Sequence, residues 1–134
     1  MLKKSEIKTQ NAGLYEITEQ IRQAVSDSGV REGLCVVYSA DADAGIVITS
    51  FWDPLGHEDI IDDFERIFPA RNNFLSKDGL EQAAARSKSA VAGVSLDIVI
   101  SEGEAKLGSS QGVFLADYVG GRERVFYVSS IGEK

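Results

Sequence analysis

Two carboxylates stand one residue apart in Ser39-Ala40-Asp41-Ala42-Asp43-Ala44-Gly45, between the apolar runs Leu34 to Tyr38 and Ile46 to Thr49. Asp41 and Asp43 could hold a hard cation, serve as a base, or be solvated in a turn. An EF-hand loop needs a third oxygen ligand before its glycine and a bidentate Glu at its end. Here Gly45 comes one position early and Trp52 occupies the place of the Glu. The EF-hand reading fails. A looser Mg²⁺ or Ca²⁺ site and a plain loop stay open.

The other metal chemistry is limited by count. Catalytic zinc is usually held by about three protein ligands, mostly His or Cys. The chain has one histidine, His57, and one cysteine, Cys35. No metal ligand is assigned and no cofactor is expected. His57 follows Gly56 at the start of an acidic helix, which suits an N-cap or a surface position. Cys35 lies inside an apolar run, which predicts a buried, inert thiol.

Two glycine-bounded segments carry further polar groups. In Gly108-Ser109-Ser110-Gln111-Gly112 the small residues permit close approach of a ligand to the backbone, and the hydroxyls and amide offer neutral hydrogen bonds. In Gly120-Gly121-Arg122-Glu123-Arg124 the arginines could receive a phosphate or carboxylate. The plain alternatives are a strand connection and cross-strand ion pairs.

The elements that must position these residues follow from periodicity. Ile7 and Thr9 alternate with charged neighbours, predicting a first strand over Ser5 to Gln10 that Asn11-Ala12-Gly13 breaks. Ile17, Ile21, Ala24 and Val25 recur at helical spacing, with Thr18 as N-cap and Gly29 as stop. Leu34 to Tyr38 and Ile46 to Phe51 read as strands. Ile60, Ile61, Phe64, Ile67 and Phe68 share a helical face, opposite acidic residues that should be solvated, and Pro69 ends the helix. Asp62 and Arg66 are a favourable i,i+4 pair. Leu80 to Ala92 is alanine-rich and helical, capped by Gly93. Val94 to Ile100 alternates, Gly103 marks a turn, and Val113 to Val119 with Val125 to Ile131 form strands joined at Gly120-Gly121 as a tight hairpin.

With 134 residues and 43% hydrophobic content, the chain is sized for one domain, residues 1–134, with one core. The pattern predicts an α+β domain on antiparallel sheet with about three helices. A net charge of −7 without any basic run argues against nucleic acid and against anionic membrane surfaces. Neither a signal peptide nor a bilayer-spanning segment is expected, and the cytoplasm is the expected compartment.

The order of these pieces resembles the YjbQ-like family, often labelled secondary thiamine-phosphate synthase, from about Ile7 to the C-terminus. Leu107 to Gly112 is similar to that family's L-G-T-W-Q-G, and Gly120 to Arg124 to its G-P-R-x-R. Asp53-Pro54 matches a D-P after the second strand. Lys88 to Gly93 matches the end of a helix that begins N-x-D-A-H-x-K. The resemblance implies a compact fold with β-sandwich-like sheets, a homotrimer, and an active site near subunit contacts.

At the positions the family uses, this chain departs. The resemblance puts the family's His-Thr-Thr-Ala loop on Asp41 to Ala44, its Glu on Ser50, its second histidine on Arg86, and its Trp on Ser110. Gln82 and Ala84 stand for the Asn and Asp, while Gln111 is kept. Imidazole chemistry cannot be carried by Asp, which is ionised at neutral pH, or by Arg, which is always a cation. The implied function is therefore a divergent member without the family's histidine chemistry, binding a small anionic or polar metabolite near a subunit contact. The candidate pocket residues are Asp41, Asp43, Ser50, Arg86, Ser109, Ser110, Gln111 and Arg122. Two alternatives are an enzyme of altered chemistry using Asp41 or Asp43, and a structural or protein-interaction module. Asp41 and Arg86, both on family histidine positions, are expected to face each other.

Overall fold

The computed structural model describes residues 1–134. In chain order the elements are β1 (Leu2–Lys8), β2 (Gly13–Glu16), α1 (Thr18–Ser28), β3 (Glu32–Ser39) and β4 (Ala44–Ser50), then α2 (Pro54–Ile67) and α3 (Leu80–Ala92), and finally β5 (Ser95–Ser101), β6 (Glu104–Ala105), β7 (Gln111–Asp117) and β8 (Glu123–Glu133). The strands make two antiparallel sheets, ordered β1-β8-β3-β5-β6 and β2-β7-β4. Three helices and two antiparallel sheets give the expected α+β architecture.

The inner faces are written by strand alternation. Cys35 and Val37, Ile98 and Ile100, and Phe126 and Val128 come from the larger sheet; Ile46, Val113 and Leu115 come from the smaller; all join one core cluster with Ile17, Ile21, Ala24 and Val25 of α1. Cys35 is fully buried as expected, and burial with the Asp97 charge pushes its thiol up to about 11. The outer face of the smaller sheet is covered more thinly. Ala116 and Tyr118 pack there with Ala85 of α3, and Phe64 of α2 meets the Tyr118 ring edge-on at 5.4 Å. No residue of α2 is fully buried, so its apolar face is only half covered, and Ile67 stays 65% exposed. The Asp62–Arg66 pair forms on the solvent side at 2.9 Å.

Several local expectations need correction. The first strand begins at Leu2 rather than Ser5, because its register is set by pairing Leu2 with Ser129 on β8. Asn11 and Ala12 do not simply end it; they lead into β2, whose four residues pair with β7. Thr18 is the first helical residue and not the N-cap, which is Ile17. Its hydroxyl instead accepts from Val113 N–H at 2.9 Å and donates to Glu16, bolting α1 to β7. Asp53 caps α2 by accepting from Leu55 N–H at 2.9 Å, so His57 is not a cap. Gly29 and Gly93 do end α1 and α3.

The largest correction concerns Gly120-Gly121. It is a tight turn, with φ of +88° and +75°, but not a hairpin. β7 pairs with β2 and β4, whereas β8 pairs with β1 and β3. Both strands point apolar side chains at the same core, so they face each other across it and the turn carries the chain between sheets. Ala40 to Asp43 makes the same crossing from β3 to β4, and Thr9 to Ala12 makes it from β1 to β2. A Cβ on Gly120 would lie 2.4 Å from the Asn11 carbonyl carbon, so two of these corners touch closely enough to demand glycine. No helix is long and apolar enough to cross a membrane.

Candidate functional site

Three inter-sheet corners thus meet at one end of the sandwich, and their polar residues converge. Arg124 opens the inward series Arg124, Phe126, Val128 on β8. Asp117 closes the inward series Val113, Leu115, Asp117 on β7. Alternation aims both into the core, opposite each other. Arg124 Nε and Nη2 donate to Asp117 Oδ2 and Oδ1, each at 2.8 Å, in a bidentate fork. Its Nη1 donates to Asp43 Oδ1 at 2.5 Å. The three side chains are 1%, 0% and 5% exposed.

The two buried carboxylates are saturated with donors. Asp117 also accepts from the Thr9 hydroxyl at 2.7 Å and from the backbone N–H of Val119 and Gly120 at 3.0 and 2.7 Å. Burial alone would raise its pKa, but the Arg124, Thr9 and backbone donors outweigh it and hold it down to about 2. Asp43 accepts from Gln82 Nε2 at 2.7 Å and from Arg122 Nη1 at 3.0 Å through its second oxygen. There too burial works upward and is outweighed, by the Gln82 amide and by Arg124 and Arg122, so the carboxyl stays below its usual range. Arg124 is desolvated, which would lower it, yet its carboxylate partners push its pKa up. All three groups are therefore ionised at neutral pH.

The outer layer is less complete. Arg122 is half exposed, and its Nη2 donates to Gln82 Oε1 at 3.0 Å. Gln82, in the first turn of α3, thus holds Asp43 with its amide nitrogen and Arg122 with its oxygen. Asp41 lies 3.7 Å from Arg124 Nη1, an ion contact without a hydrogen bond, and its buried Oδ2 accepts from no donor. Asp41, Asp43 and Asp117 against Arg122 and Arg124 leave one uncompensated negative charge, on the one carboxylate that is not tied down.

This geometry does not suit a resident divalent ion. The three carboxylates converge on a guanidinium, which already sits between them, and no three His, Cys, Asp or Glu side chains are grouped to ligate a metal. The arrangement can accept a hydrogen bond or proton at Asp41 and donate from Arg122.

The remaining candidates lie elsewhere. Within the chain Arg86 forms no ion pair with Asp41: it pairs with Asp78 at 2.5 Å, because position 86 lies on the exposed side of α3 where the preceding loop supplies a carboxylate. Ser50 pairs with Gln111 at the far end of β4 and β7, about 20 Å along the strand from Asp117. There Ser110 carbonyl accepts from Phe51 N–H at 3.0 Å, Gln111 Oε1 accepts from Gly108 N–H at 2.8 Å, and Ser109 is exposed. His57 closes this end: its ring bonds to Ser50 carbonyl at 2.7 Å and packs 4.6 Å from Phe114, tethering α2 to the sheet. The predicted residues therefore divide into a corner group (Asp41, Asp43, Arg122), a strand-end group (Ser50, Ser109, Ser110, Gln111), and Arg86 by itself. Asp117, Arg124, Thr9 and Gln82 were absent from the sequence-based site. Charged residues at inward positions of apolar strands were the signal for Asp117 and Arg124; Thr9 and Gln82 have no comparable one.

Similar proteins agree with this architecture. A family described as UPF0047 protein YjbQ-like matches residues 3–133. The UPF0047 protein MJ1081 of Methanocaldococcus jannaschii is 39% identical, over 100% of this chain and 96% of its own. The UPF0047 protein YugU of Bacillus subtilis is 28% identical over 98% of this chain and all of its own. A crystal structure of an uncharacterised YjbQ/UPF0047 protein from Clostridium acetobutylicum superposes with a TM-score of 0.91 at 32% identity, covering 96% of this chain and 99% of that one. With the match running through both sheets and the corners between them, this chain belongs to the YjbQ-like UPF0047 family.

Proposed function

We propose that this protein binds a small polar metabolite at the corner site, on a scaffold that no longer performs histidine chemistry. The observation that carries this reading is the buried, unbonded Asp41 Oδ2, with the half-exposed Arg122 guanidinium held on Asp43 two residues along the same loop. A buried acceptor without a donor costs roughly 1–3 kcal/mol, which a ligand hydroxyl or amine would recover. An anionic or carbonyl group on the same ligand would meet Arg122. The buried Asp43–Arg124–Asp117 unit fixes both groups without contacting the ligand. Thiamine-phosphate formation is not expected, since neither Asp41 nor Arg86 replaces an imidazole at neutral pH. An altered enzyme is the second reading. It rests on Asp41 being the one carboxylate of the corner that accepts no hydrogen bond.

A homotrimer goes with this proposal. Support comes from the outer face of the larger sheet, where Leu34, Val99 and Ile131 lie in one cross-strand row, 46%, 55% and 64% exposed. Further support comes from the division of the candidates between two ends of β7, which a neighbouring copy could bring together. Light scattering tests it; a monomer at micromolar concentration overturns it. The ligand proposal is tested by melting-temperature screening against phosphorylated and hydroxylated metabolites. Specific binding raises the melting temperature of the wild type and is lost in both Asp41→Ala and Arg122→Ala. Stabilisation that survives both substitutions, or a panel without any binder, defeats it.

A further inference from the structure

The largest cleft lies at the opposite end of β3, about 20 Å from the corner site. It holds about 770 Å³, within the roughly 300–1,000 Å³ of small-molecule sites. One wall is the end of α1 and the connection to β3; the other is the β5–β6 hairpin and the segment that follows it. Val25 and Val30, both core residues, contribute apolar floor. The frame is held by backbone bonds: Arg31 N–H to Glu133 carbonyl at 2.7 Å, Gly103 N–H to Arg31 carbonyl at 3.0 Å, and Lys106 N–H to Val99 carbonyl at 2.8 Å.

Of the five charged residues that line this cleft, Arg22 pairs with Glu19 at 2.8 Å and the other four are unspent. Neither Arg31 nor Lys106 takes part in an ion pair, and neither does Glu102 or Glu104. Glu32, next in the chain to Arg31, is taken up by the Ser101 hydroxyl and the Glu102 N–H. Cations and carboxylates that line one cavity without meeting leave room for a guest with both charges. The C-terminal carbonyls of α1 also end here and favour a cationic group.

We propose that this cleft binds a small zwitterion with an apolar body, of the class of aliphatic α-amino acids. Its carboxylate meets Arg31 and Lys106, its ammonium meets Glu102 and Glu104, and its side chain rests on Val25 and Val30. This proposal is independent of the corner site. Calorimetric titration of the full-length protein with L-leucine should show saturable one-site binding. Removing either charge, as in 4-methylpentanoate or 3-methylbutylamine, should weaken binding by about tenfold or more, the usual effect of losing a charged hydrogen bond. Arg31→Ala and Glu104→Gln should each weaken L-leucine similarly, while Asp41→Asn should leave it unchanged. Methyl resonances of Val25 and Val30 should shift on titration. No saturable binding of L-leucine, L-valine or L-isoleucine would overturn the proposal. So would equal affinity for the two singly charged analogues, which needs no variant to fold. Loss of binding in Asp41→Asn, with Arg31→Ala unaffected, would also overturn it by moving the ligand to the corner.

Discussion

The two ends of β7 are built on opposite terms. At the Asp117 end, a carboxylate is fully buried and takes five hydrogen bonds from side chains and backbone. At the Gln111 end the side chain is exposed and its one bond, to Gly108 N–H, is local. The difference shows where a single substitution is cheap. Replacing an exposed residue at a loosely bonded strand end perturbs little. Replacing a member of a closed buried network strands its partners. The positions that the family resemblance finds altered fall in both settings: 41, 50, 82, 86 and 110 are exposed or partly exposed, whereas Asp43 and Ala84 are buried, and both arginines of its G-P-R-x-R are retained.

The sharpest break of this contrast is Arg124→Ala. It leaves Asp43 and Asp117 buried without their shared cation and should cost about 3–5 kcal/mol, read from the midpoint of urea unfolding. A loss below about 1 kcal/mol would mean the two ends are not energetically distinct. Arg124→Lys should fall between, since the charge is kept but the fork is lost.

Acid titration probes the same end without removing an atom. Asp117 has a folded pKa of about 2, below the unfolded value of about 3.9. A depressed folded pKa stabilises the native state above the unfolded value, and that stability fades as pH falls from about 4 towards 2. The contribution at neutral pH is on the order of 2–3 kcal/mol. Stability measured between pH 6 and pH 2 should therefore fall less in Asp117→Asn than in the wild type. Parallel curves would remove Asp117 from the account.

Arg122→Ala should cost no more than about 1 kcal/mol, because the guanidinium is half exposed and Asp43 keeps Arg124 and Gln82. Gln111→Ala should change stability by less than about 0.5 kcal/mol. A melting-temperature difference larger for Gln111→Ala than for Arg122→Ala would reverse the proposed order of the two ends.

Sequence by itself determined the helices, most strands and the core, because those depend on local periodicity: α1 repeats Ile17, Ile21 and Val25 at helical spacing, and β8 alternates Phe126 with Val128. It determined a buried Cys35 and glycine stops at Gly29 and Gly93, because the required backbone and burial are local properties. Even the buried pair could be read, in principle, from Asp117 and Arg124 on the inward side of apolar strands. Tertiary structure alone decided which sheet each strand joins. A Gly-Gly turn between two strands fits a hairpin or an inter-sheet corner equally well, and only the core packing of both faces chooses the corner. That choice brings Thr9, Asp43 and Gln82 to Asp117 and Arg124, with Thr9 bonded to Asp117 from 108 residues away in the chain. It also leaves Arg86 paired with Asp78 and not with Asp41 in this chain, since contact between side chains is set by the assembled fold and not by spacing along the sequence.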